Sequence, residues 1–255
     1  MNSSTGLAAS ISFALLALLM VLAWFLPPGL NWIAMMIVIV ALVLFIGKVC
    51  TGLALGWLIT ERNLMSLSRF QMIVWTILII SAYGAIAMER VKRGDVAEPL
   101  IVGIDWQVWA LLGISTTSLV GTPLLNGNKR RKQPAQPAAQ VEKIAKVFDQ
   151  DPKEVDSDRE GVLYSNPGPT DARFTDMFEG EELANAQLLD IGKLQMFLFT
   201  AVIATVYGIQ LYQLIAHNDV SDDVSLPKVN DGLLALLGVS HAGYLGTKGI
   251  TQTPT

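Results

Sequence analysis

The chain has one cysteine, Cys50, and two histidines, His217 and His241. A single thiol excludes an intrachain disulfide framework and any multi-cysteine metal site. In its apolar surroundings Cys50 reads as an inert buried thiol. No H-E-x-x-H, G-x-S-x-G or Walker-type loop occurs, and Gly47-Lys48 lacks the earlier glycine that a phosphate loop requires. These absences point to a protein that is not an enzyme and carries no cofactor. Charge is scarce too: 16% of residues are charged and 52% hydrophobic, where a soluble domain carries about a quarter charged. A net charge of −4 gives no basic footprint for nucleic acid.

What the chain does have is apolar sequence that recurs. RFQMIVWTILIISAYG at 69–84 returns as KLQMFLFTAVIATVYG at 193–208, an offset of 124 residues. ALLGISTTSLVGT at 110–122 returns as ALLGVSHAGYLGT at 235–247, an offset of 125. Two segments repeated in order predict two similar helical hairpins, apolar enough to contact the lipid bilayer. The expected fold is an all-α integral membrane protein of six spans. It divides into an N-terminal two-span hairpin (1–60), a first repeat hairpin (61–125), a cytoplasmic insert (126–185), and a second repeat hairpin with a short tail (186–255).

The first span is expected at 11–26, ending at Pro27-Pro28. With no Lys or Arg before it and no small-x-small site after it, it reads as an uncleaved span. The second runs from Trp32 to Gly47, with Lys48 snorkelling to an interface. Thr51 to Ile59 then extends that helix or lies along the surface. The repeats supply spans at 70–88, 106–122, 194–215 and 233–247. The second and fourth of these reach only about 25 Å, against a hydrocarbon core of about 30 Å.

Basic residues orient the spans. Lys129, Arg130, Arg131 and Lys132 follow one span directly, whereas the loop 216–232 holds Asp219, Asp222, Asp223 and Asp231 against Lys228. The positive-inside rule places the first loop and both termini in the cytoplasm. Arg90, Lys92 and Arg93 would then lie outside, against the rule.

Within the repeat, Ser66 and Asp190 precede Arg69 and Lys193 by three residues and read as N-caps. The basic side chains are expected at headgroup level, with Gln71 and Gln195 bonding a neighbouring helix. Gly113, Thr117 and Gly121 form a stripe of small residues matched by Gly238, Ala242 and Gly246; such a stripe lets helices approach closely. Thr200, Ala204 and Gly208 make a third. Tyr83 and Tyr207 read as interfacial anchors. The polar groups inside the spans are Ser115, Thr116, Ser118, Ser240 and His241. These either line a water path or only pack between helices. No Asp or Glu falls mid-span, which argues against a proton- or sodium-coupled carrier.

In the insert, Lys129 to Lys132 would attract anionic headgroups. Gln133 to Gln140 reads as a linker. Val141, Ile144, Ala145 and Phe148 form one face of a short helix that would lie on the membrane or a partner. The segment from Phe174 to Glu182, with Glu179, Glu181 and Glu182, is either a solvated approach to the bilayer or a docking motif.

The strings SLSRFQM, LLGISTTSLVGTPL, FTDMFEGEE with LLDIGKLQMF, and LLALLGVSHAGYLGTK resemble those of a group of bacterial multi-span membrane proteins with no assigned activity. The resemblance implies a bacterial inner (plasma) membrane location and nothing about chemistry. Two functions are expected from these residues. One is a non-catalytic anchor or sensor engaging a cytoplasmic protein through its insert. The other is a small homo-oligomeric channel lined by the hydroxyl run and His241.

Overall fold

A computed structural model of the chain describes all residues except 1–5, 7–9, 11–12, 15–16, 19, 22, 95–97 and 218–223. Seven α-helices are delimited among the described residues: α1 (Leu30–Thr51), α2 (Leu67–Lys92), α3 (Trp106–Lys129), α4 (Pro137–Phe148), α5 (Pro152–Asp158), α6 (Ile191–Ala216) and α7 (Asp231–Gly249). Of these, α1, α2, α3 and α6 are long and apolar enough to cross a bilayer. Residues 11, 12, 15, 16, 19 and 22 of the expected span at 11–26 lie outside the described residues, as do Asp219, Asp222 and Asp223. α7, with 19 residues, is not among the four. The described part of the chain is therefore an all-α protein with four candidate spans.

Local chemistry sets the helix limits. α1 stops at Gly52, whose left-handed φ of 77° lets its N–H bond the Lys48 carbonyl. The helix therefore does not extend toward Ile59, where a 3-10 turn over Gly56–Leu58 follows. Cys50, expected to be buried, is exposed in the last turn of α1. α3 runs past the expected end at Thr122 and through Pro123 to Lys129. Its 24 residues reach about 36 Å, enough to span. Ser66 and Asp190 do cap: Ser66 Oγ accepts from the Arg69 amide at 3.4 Å, and Asp190 Oδ1 from the Lys193 amide at 3.1 Å.

The chain forms two compact units. The first comprises 1–57, 73–112 and 201–234. Trp32 of α1 donates its indole N–H to Ser81 of α2 at 2.9 Å, and Asn31 donates to Glu89 at 2.6 Å. Trp75 packs edge-on against Tyr207 of α6, so Tyr207 is a buried packing residue, not an interfacial anchor. Gly84 lies against Met35, and Gly208 against Leu78 and Trp32. A Cβ at Gly84 would press on the flexible end of Met35, whereas one at Gly208 would make only ordinary contact with its neighbours. Arg90 is buried and donates to the carbonyls of Glu98 and Ile101. The connection before α3 pairs with the one before α7 through Gly103 N to Val224 O and Leu226 N to Gly103 O, both 2.9 Å.

The second unit comprises 58–72, 113–200 and 235–255. Pro137 opens α4 at its first position, and Asp151 caps α5 by accepting from the Lys153 amide. The second half of the Pro/Ala/Gln run is thus helix and not linker. Val141, Ile144 and Ala145 are buried against Leu64, Val155, Tyr164, Leu183 and Ala186. The apolar face of α4 therefore closes a core made by this chain itself. In the same unit α3 and α7 run parallel: Ile114 meets Gly238, Leu245 meets Gly121, and Leu125 meets Gly249.

Candidate functional site

The insert returns to the helix ends at Glu181 and Glu182, and four basic residues converge there. Arg62, from the connection before α2, donates to Glu181 and to the Tyr164 carbonyl. Lys193, in the first turn of α6, places its ammonium 3.2 Å from Glu181 and 2.7 Å from the Glu179 carbonyl. Lys248, in the last turn of α7, bonds Glu181 and the Tyr244 hydroxyl. Lys129, at the end of α3, meets Glu182 at 2.6 Å. The other Glu182 oxygen accepts the amides of Gln252 and Thr253 at 2.9 and 2.7 Å. Asn126 adds a donor to Glu181 at 3.3 Å.

All four cations are buried. Removing such charges from water costs several kcal/mol each unless they are paired, so these contacts decide where the insert sits. Burial alone would raise the Glu181 carboxyl. The ammoniums of Lys248 and Lys193 and the Arg62 guanidinium outweigh it and hold the group well below the usual carboxylate range. Lys248 lies just past the apolar run of α7. Burial, with Lys193 and Arg62 nearby, drives its ammonium down to about 7, although Glu181 opposes the shift.

A small cavity of about 30 Å³ lies among Lys129, Glu181, Glu182, Lys193, Tyr244 and Lys248. That is room for water with several polar partners. Asn185, Asp190, Tyr244, Thr247 and Gln252 border both this cavity and a larger open cleft of about 540 Å³ between the start of α6 and the later half of α7. Among the described residues no group of three or more His, Cys, Asp or Glu is placed to hold a metal ion.

The residues singled out in the sequence are distributed unevenly. Ser115, Ser118 and His241 are buried, whereas Thr116 and Thr117 are exposed. His241 Nδ1 lies 2.9 Å from the Leu237 carbonyl, and its Nε2 has no protein partner. The hydroxyls of Ser115, Ser118 and Ser240 likewise have none. Gln71 bonds Thr200 at 2.7 Å, the interhelical bond expected of it, but Gln195 is exposed. Of the two matched stripes, Gly121 and Gly238 touch the facing helix, whereas Gly113 and Gly246 have open space beside them and Ala242 is exposed. Arg130 pairs with Glu61 and Glu160, Lys132 donates to Thr251, Arg131 is exposed, and Glu179 faces Arg173.

Arg62, Asn126, Tyr244 and Lys248 were not legible as site residues. The available signal was a basic residue at the end of several apolar runs, which reads equally well as snorkelling. No family model matches the chain, and no curated protein or solved structure is detectably similar to it. Fold and composition together make it a multi-pass helical membrane protein.

Proposed function

We propose that this is a non-catalytic bacterial inner-membrane protein, an anchor or sensor that presents its cytoplasmic insert to a protein partner. The observation that carries the reading is the sharing of Glu181 by Arg62, Lys193 and Lys248, which come from three separate parts of the chain. A passive tether needs no buried ion pairs. A folded head fastened to helix ends passes a displacement on to them, because opening the cluster leaves buried charge uncompensated. Glu142, Lys143, Lys146 and Val147 are exposed on the outer side of α4 and supply a mixed-charge surface for a partner.

The proposed cytoplasmic orientation is supported by Arg130, Arg131 and Lys132, exposed beyond α3. In the last turn of α2, Arg90 is taken up by backbone carbonyls and Lys92 by Glu89. Arg130 and Lys132 are likewise engaged within the chain, so the reading rests on the larger basic run that follows α3. The six-span arrangement treats the repeated hairpins as parallel repeats about an axis along the membrane normal. The constant spacing of 124 residues between touching positions of α3 and α7 supports it.

The test is charge reversal at Glu142, Lys143 and Lys146 in the full chain. A protein that co-purifies with the wild type should be lost while the melting temperature is unchanged. Retention of every co-purifying protein by the reversed variant would sink the reading. A second reading, a small homo-oligomeric channel, is favoured by the buried, unpartnered atoms of Ser115, Ser118 and His241, since such groups call for water or another polar partner. Vesicles containing the pure protein that pass no ions or small solutes would remove it.

A further inference from the structure

The cleft between the start of α6 and the later half of α7 has an ordered lining. At its outer end stand Asp190, Thr247 and Gln252. Further along the two helices come the neutral donors Gln195 and Ser240, with Val239 beside Ser240 and Leu236 about one turn beyond it. From Thr247 to Leu236 the groove follows α7 for about 16 Å. Leu188, Leu189 and Ile191 also line it beside Asp190, so the groove is amphipathic along its whole length, as a phospholipid is. The apolar lining is not covered by the chain: Val239 is 71% and Ile191 66% exposed. The Ser240 hydroxyl is buried with no protein partner, although it lines the cleft.

Among the described residues, Asp190 is the only charged side chain that lines this cleft. One of its oxygens caps the Lys193 amide. The Lys193 ammonium turns away to Glu181 and the Glu179 carbonyl, and no ion pair reaches Asp190 among the described residues. A half-buried carboxylate at the mouth of a neutral, amphipathic groove is complementary to a primary ammonium.

We infer that this cleft binds a phospholipid with a primary-amine headgroup. The ammonium sits on Asp190, the ester region meets Gln195 and Ser240, and an acyl chain lies along Leu236 and Val239. The site belongs to the second unit alone and does not depend on the insert meeting a protein partner.

The experiment uses the full-length protein in bilayer discs. Retained lipid is counted by native mass spectrometry from matched discs carrying ethanolamine, choline or glycerol headgroups. The wild type should retain the ethanolamine lipid roughly tenfold over the other two, the scale of one hydrogen bond to a charged group. Asp190→Asn keeps a capping oxygen for α6 and removes only the charge. It should abolish the preference at an unchanged melting temperature. Ser240→Ala should weaken retention of all three lipids alike.

Equal retention of the three headgroups by the wild type, or a preference that survives Asp190→Asn, overturns the proposal. Water-soluble phosphoethanolamine that displaces the lipid at equal concentration overturns the assignment to lipid. So does a cleft that is protected only as protein concentration rises, which would make the occupant a second copy.

Discussion

Lys129 and Glu182 meet at 2.6 Å with their side chains 6% and 3% exposed, fifty-three residues apart in the chain. The pair fastens the end of α3 to the insert. Lys129→Met or Glu182→Gln alone leaves a charge buried without its partner and should cost about 3–5 kcal/mol. The double variant Lys129→Met/Glu182→Met should be clearly more stable than either single change, because no charge then remains to be compensated. Thermal unfolding in one detergent checks all three. A double variant as weak as the sum of the singles would mean that the two groups do not interact.

The Glu181 carboxyl is depressed in the folded protein, so its stabilising contribution is present above the unfolded carboxylate value of 4.5 and is lost as pH falls from there. Melting temperature should drop on acidification below that point, and the drop should be shallower in Glu181→Gln. Identical acid limbs would contradict the assignment.

Lys248 gives the opposite limb. Its ammonium falls from 10.5 to about 7 in the folded state, so between those values the unfolded chain binds more protons and stability rises with pH. Lys248→Met should flatten the rise between about pH 7 and 10.5. A slope there that is unchanged by the substitution would refute it.

Gly161 has φ +66°, and a Cβ there would stand 2.5 Å from the Lys129 carbonyl oxygen. Gly161→Ala should therefore strain the insert by about 1–3 kcal/mol. Ile144→Ala empties a fully buried site and should cost about 2–5 kcal/mol. Both should speed proteolysis within 133–190 while total helicity stays near that of the wild type. Insensitivity to Ile144→Ala would mean that α4 is not packed as described.

The small-residue stripes separate into two behaviours. Gly238 lies 3.7 Å, at its would-be Cβ, from Ile114, and Gly246 has open space. Gly238→Leu should lower the melting temperature by driving α3 and α7 apart, and Gly246→Leu should be tolerated. Equal effects at the two positions would show that the helices are not in this register.

Much of the helical part was legible because its signals are local. Long apolar runs, the caps at Ser66 and Asp190, and the 3.6-residue spacing of Val141, Ile144, Ala145 and Phe148 need no distant partner to be read. The reach of α3 beyond Pro123 was not legible. A proline is a stop signal in sequence, and only the surrounding helix makes it tolerable there. The stripe of Gly113, Thr117 and Gly121 was legible as a helix face but not as a contact, since spacing names a face without saying what lies opposite.

The candidate site divides in the same way. Composition and hydropathy determined by themselves that the chain meets a bilayer, because burying so few charges among so many apolar side chains leaves lipid as the fitting solvent. They also determined that charge would collect at the helix ends. Which charges meet was decided only by the tertiary structure. Lys193 reads alone as a cation that keeps its head in water and Lys129 as one that attracts headgroups, while Arg62 and Lys248 carry no site signal of their own. They become a buried cluster because the insert folds back and delivers Glu181 and Glu182 to them, and a desolvated ammonium is held by the carboxylate that reaches it, however distant in sequence.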